Sequence, residues 1–176
     1  MRADEIIKLK VMDVASGTTI GPVTGLLIDG DNRQVVALEV GGGLLSRPDY
    51  LPFGSIKSIE NDVLTISSSG LLVERGAFKT SRLVGNLRGR KVFTDDGKHL
   101  GTVHEYDIET NTGEITCITV AIDTAVMGGL WQSVGERFDI PRNLIATLGD
   151  SVVVDSSVPS EVAGKQGKDE TYHATL

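Results

Sequence analysis

The chain has 176 residues, 40% hydrophobic and 23% charged, with a formal net charge of -7 and a pI near 4.9. That composition belongs to a globular protein with apolar content for one medium core or two small ones. The acidic balance argues against a phosphate-backbone partner for the chain as a whole, since such binding needs clustered Lys and Arg.

Met1 to Asp13 lacks the apolar stretch and small-residue cleavage site of a secretion signal. No apolar run anywhere approaches the ~20 residues needed to span a bilayer. Gly21 to Ile28 then reads as a strand, closed by the polar turn Asp29-Gly30-Asp31-Asn32, whose residue types supply tight or left-handed backbone. The next strand is Val35 to Val40, β-branched and alternating, with Val36, Leu38 and Val40 expected on one face. A glycine-rich loop over 41–50 carries Leu44, Leu45 and Tyr50. After Pro52, the i,i+3 spacing of Ile56 and Ile59 predicts a single helical turn, and Val63 to Ile66 a last strand. Residues 67–82 hold Leu71, Leu72, Val73 and Phe78. They are too apolar for a free linker and are expected to pack at the seam between two units.

The same order then returns. Ser16-Gly17-Thr18-Thr19-Ile20-Gly21 is matched by Asp96-Gly97-Lys98-His99-Leu100-Gly101, and Val23 by Val103. Gly101 to Ile108 and Ile115 to Ile122 are the corresponding strands, with Thr110-Asn111-Thr112-Gly113 as their turn. Ile118, Val120 and Ile122 are expected inside, with Cys117 opposite. Gly42-Gly43-Leu44-Leu45 recurs as Gly128-Gly129-Leu130-Trp131, and Leu51-Pro52 as Ile140-Pro141. Ile145 and Leu148 repeat the i,i+3 pair, and Val152 to Val154 is the final strand. One folding unit has been duplicated. Each copy is about 75 residues, a size that buries only about 60% of its unfolded surface and is marginal alone. Short, evenly spaced strands with few helices predict an all-β fold of two tandem small β-barrels. The boundaries are 1–66 for the first barrel, 67–82 for a packed connector and 83–155 for the second barrel. Residues 156–176, rich in Ser, Gly, Lys and Glu, form a tail with the composition of disorder.

The ordered set of motifs resembles the PRC-barrel family. The elements that carry it are the polar-Gly-x-x-Ile/Leu-Gly-x-Val opening, the acidic end of the second strand (Asp29; Asp107 and Glu109), the Gly-Gly-Leu loop, the Leu/Ile-Pro step and the short Ile-containing turn. The likeness covers residues 6–66 and 83–155. It implies a docking role rather than a reaction. Members include the cytoplasmic barrel of the photosynthetic reaction centre H subunit and the C-terminal barrel of a ribosome maturation factor. This chain is expected to depart from the first by lacking a membrane anchor, and from the second by having another barrel where that factor has a different N-terminal domain.

Chemistry-bearing clusters are few. Asp29, Asp31 and Arg33 begin like a calcium loop, but Gln34 stands where glycine is needed and Val40 where glutamate is needed. His104, Glu105 and Asp107 do not converge if they lie on one strand, and an exposed strand face is expected there. Ser67 to Ser69 lack a histidine partner nearby in sequence, and no phosphate-loop glycine pattern occurs. Cys117, the single cysteine, has no adjacent base or cation in sequence and suits a reducing, cytoplasmic setting. No catalytic residue, cofactor site or metal site is predicted, and an enzyme is not expected.

Two surfaces remain. The glycine-rich loops carry Leu44, Leu45 and Tyr50 in one copy and Val126, Met127, Leu130 and Trp131 in the other. Exposing each large apolar side chain forgoes about 1.5–3 kcal/mol of burial. These residues therefore either fold back over their own barrel or form a protein-binding or self-association surface anchored by Trp131. The second surface is Lys79, Arg82, Arg88, Arg90 and Lys91, a stretch without an acidic residue and a candidate patch for an acidic partner. The expected function is a non-enzymatic adaptor acting by protein–protein contact. The alternative is a ribosome- or RNA-associated factor using residues 79–91. A small-molecule site between the barrels is a third reading, and needs converging polar groups.

Overall fold

The structure, a computed structural model, describes residues 1–41, 47–123 and 137–159. The chain divides into two compact units. Unit 1 is Met1–Asn86 together with Asp107–Thr116, and unit 2 is Leu87–Tyr106 together with the chain from Cys117 on.

After a one-turn helix α1 (Ala3–Ile6), the first repeat folds as β1 (Lys10–Asp13), β2 (Thr18–Asp29), β3 (Gln34–Val40), β4 (Asp49–Pro52), β5 (Ile56–Glu60) and β6 (Val63–Ile66), with β7 (Leu83–Val84) added beyond the connector. The second gives β8 (Lys91–Thr94), β9 (His99–Ile108), β10 (Ile115–Ile122), β11 (Arg137–Pro141), β12 (Ile145–Leu148) and β13 (Val152–Val154). The sheet orders are β4-β3-β2-β1-β6-β5 and β11-β10-β9-β8-β13-β12, the same permutation twice. In both, a parallel pair sits at the same place: Val11 opposite Leu64 in β1–β6, and Val92 opposite Val152 in β8–β13. Duplication is therefore a property of the fold as well as of the sequence, and the chain is nearly all β.

Each sheet curls because its two ends are consecutive in the chain. β4 and β5 lie at opposite ends of the strand order, yet only the 3-10 turn Phe53–Ser55 joins them. The turn Arg142–Leu144 does the same between β11 and β12. A three-residue turn can link the edges only if the sheet bends round on itself, which encloses the apolar face. In unit 1 that interior holds Val11, Leu26, Ile28, Leu38, Leu51 and Leu64. In unit 2 it holds Val92, Leu100, Tyr106, Ile118, Ile140 and Val152; all twelve are at most 3% exposed.

Three sequence expectations are corrected by this geometry. The helical turns predicted over Ile56–Ile59 and Ile145–Leu148 are strands, and the turns lie just upstream, entered from Pro52 and Pro141. The i,i+3 apolar spacing comes instead from irregular register, between Ile56 and Ser58 in β5–β6 and between Ile145 and Thr147 in β12–β13. An inserted residue turns an i,i+2 face into an i,i+3 face, mimicking a helix. In β3 the single buried face predicted at Val36, Leu38 and Val40 gives way to burial on both sides. Val35 and Ala37 are fully buried, while Val36 is half-buried. Register shifts in β2–β3 and a second apolar cluster account for this. That cluster is Leu27, Ala37 and Tyr50, covered by Val36, Val73, Phe78 and Leu83. Val73 and Phe78 of the connector, expected at a seam between units, thus pack inside unit 1. Beyond β13, Ser157 N–H donates to Asp155 Oδ1 at 2.8 Å and Val158 is fully buried.

Candidate interaction surfaces

Tyr50, expected in a loop, is a strand residue. It lies on β4, is 8% exposed, and meets Phe78 edge-on with ring centroids 6.3 Å apart. Its backbone N–H donates to Val73 O at 2.9 Å, and Val73 N–H donates back at 2.8 Å. The connector is thereby stitched to the β4 edge, and Tyr50 serves the interior of unit 1 more than its surface. The other predicted interface residues, Leu44, Leu45, Val126, Met127, Leu130 and Trp131, lie outside the described residues.

The stitch creates a groove. Arg47, Pro48, Asp49 and Tyr50 form one wall, and Glu74, Arg75 and Gly76 the other, around about 410 Å³. Four of these seven residues are charged, two of each sign, and none is in an ion pair with another described residue. No sequence signal marks this site, because its walls come from separate segments that meet through the Tyr50–Val73 pairing, 23 residues apart in the chain. A second cleft of about 330 Å³ runs along β5, lined by Ile56 to Ile59 with Met1, Phe53, Thr110 and Asn111.

The basic stretch is divided and largely answered by acid. Lys79 and Arg82 belong to unit 1, and Arg88, Arg90 and Lys91 to unit 2. Arg82 lies 3.5 Å from Asp31, Arg88 3.9 Å from Glu105, and Arg90 3.6 Å from Asp150. Arg90 also donates to the Gly149 carbonyl. Such pairs add little stability, about 0–1 kcal/mol each at the surface. They do cancel the local charge a polyanion would need. The sequence could not show this, since each carboxylate comes from a distant turn or strand.

Glu105 corrects the expectation of an exposed strand face. It is 8% exposed, its Oε1 accepts the Tyr106 N–H at 2.9 Å, and Arg88 faces its other oxygen. Next to it Tyr106 is fully buried, and burial pushes its hydroxyl above the usual tyrosine range despite a hydrogen bond from the Leu87 backbone. His99 lies 3.8 Å from Asp123 and its ring tilts against Phe93 with centroids 5.0 Å apart. Among the described residues no three His, Cys, Asp or Glu side chains converge as metal ligands would. No helix among them is long and apolar enough to cross a membrane.

The comparisons agree with this duplicated architecture. A family model described as PRC-barrel domain matches the chain twice, over residues 1–72 and 80–157. No curated protein matches it.

Proposed function

Because the chain belongs to the PRC-barrel family, carrying two such domains in tandem, we propose that it is a non-enzymatic adaptor or assembly module acting through protein–protein contacts. The groove between β4 and the connector carries this reading. Its charges of both signs beside the largely buried Tyr50 suit a mixed polar peptide surface, whereas a nucleic-acid site needs one sign in excess. Its walls are preorganised by two backbone hydrogen bonds and the Tyr50–Phe78 contact, so a partner has little ordering to impose. The pairing of Arg82, Arg88 and Arg90 with carboxylates weakens the alternative of an RNA- or ribosome-associated factor.

The test is cross-linked capture from the native cell, followed by mass spectrometry, with the full chain and with the double variant Arg47→Glu/Arg75→Glu. The adaptor reading expects a defined protein set, insensitive to nuclease and recovered several-fold less with the variant. Equal recovery with both chains, or loss of the set on nuclease treatment, overturns it.

A further inference from the structure

Unit 1 is not built from one continuous stretch. The chain leaves it at Asn86 and returns to supply Asp107–Thr116. This returning hairpin tip is held by main-chain bonds. Val35 N–H donates to Gly113 O at 2.8 Å, and Ile115 N–H donates to Arg33 O at 3.0 Å. Gln34 pairs with Glu114, and its side-chain amide donates to Thr112 O at 2.5 Å. Ile108 N–H donates to Met1 O at 2.8 Å, and the Arg2 and Asp107 backbones form an antiparallel bridge. Ile108 and Ile115 are at most 1% exposed.

The bonding is reciprocal between equivalent positions. Arg33 and Gly113, like Val35 and Ile115, are as far apart in the chain as Gly21 and Gly101 of the repeated motif. Both turn residues adopt the left-handed backbone, φ 54° at Arg33 and 78° at Gly113. The two hairpin tips therefore meet as two copies of one element, each donating to and accepting from the other, the pattern of an isologous contact. The match is not interchangeable, however. A Cβ at position 113 would lie 2.5 Å from Val35 O and 3.0 Å from the Phe53 ring, so the tip that enters must carry glycine. Tip 33–35 accepts tip 113–115.

We propose that this socket is a self-recognition surface whose occupant is residues 107–116, taken from its own chain or, by exchange, from a second copy. Every bond of the closed form can be made again between copies. Exchange then costs only the advantage of intramolecular closure, which high protein concentration offsets. The proposal is independent of the adaptor reading, since it concerns only this chain.

The experiment uses two full-length chains, both Cys117→Ser, one with Gln34→Cys and the other with Glu114→Cys. Directly opposed antiparallel residues lie about 4.5–5.5 Å apart at Cα, within disulfide range. The chains are mixed, unfolded, refolded together at high concentration and oxidised. The expected product is the interchain 34–114 disulfide, identified by peptide mass, in several-fold excess over 34–34 and 114–114 links. Random amounts of the three links, or no 34–114 link, overturn the proposal. A second measurement needs no new cysteine. The unsubstituted chain, refolded at roughly mM rather than μM concentration, should show a several-fold larger dimer fraction by sedimentation. That dimer should be lost with Gly113→Val, and a monomer at all concentrations also overturns the proposal.

Discussion

Asp13 Oδ2 accepts the backbone N–H of Ser69 at 2.9 Å, across the whole first repeat. Its Oδ1 accepts the N–H groups of Ala15 at 2.8 Å and Ser16 at 3.2 Å. One carboxylate thus caps the β1–β2 turn and anchors the start of the connector. The Ser69 bond, helped by Ser16 and opposed by burial, lowers the Asp13 pKa from 3.8 to about 2. A depressed carboxylate contributes stability that is present above the unfolded value and lost as pH falls to the folded one. Wild type should therefore lose stability relative to Asp13→Asn between about pH 4 and pH 2. Thermal melts across that range should converge at the acid end. Parallel curves would show that the charge contributes nothing.

The repeated Gly21 and Gly101 are not equivalent in need. At Gly101, φ is 152° and a Cβ would overlap the Ala121 carbonyl oxygen, a backbone atom that cannot turn aside. At Gly21 the nearest atom to a Cβ is Gly41 Cα at 3.4 Å, an ordinary contact. Gly101→Ala should destabilise unit 2 by roughly 2–4 kcal/mol, and Gly21→Ala should cost under about 1 kcal/mol. Urea midpoints of the two variants decide it, and equal midpoints would refute the asymmetry.

Tyr106→Phe removes a buried hydroxyl and leaves its Leu87 backbone partner without it. A loss of about 1–2 kcal/mol in unfolding free energy is expected, because a buried polar group left unpaired bears its full desolvation penalty. A neutral or stabilising change would mean that the Leu87 group finds water.

Lys79 and Lys91 are the members of the basic stretch without an ion pair to a described residue. If single-stranded RNA binds there, two phosphate contacts give a log–log salt slope near -1.4 at ~0.7 per contact. Lys79→Glu/Lys91→Glu should flatten even that. A slope several times steeper, abolished by the double variant, would restore the RNA reading.

Trp131→Ala/Met127→Ala should reduce partner capture or assembly size several-fold while the circular dichroism of the barrels is unchanged, as expected of an aromatic anchor in an interface. Sedimentation and capture with the double variant check it. Unchanged values of both would remove Met127 and Trp131 from the proposed interface.

Read alone, the sequence determined the duplication, the strand-rich class and most strand positions. These rest on local chemistry: the β-branched runs of β3 and β10, glycine and polar turns, and the Leu/Ile-Pro steps. What depends on residues far apart emerges in the folded chain. It converted the i,i+3 pairs at Ile56/Ile59 and Ile145/Leu148 into bulged strands, buried Tyr50 and Glu105, and paired three arginines of the basic stretch with distant acids. It also placed residues 107–116 in unit 1. Periodicity encodes which face of an element is apolar. Register, ion pairing and burial on the other face are fixed by whichever segments the topology brings alongside.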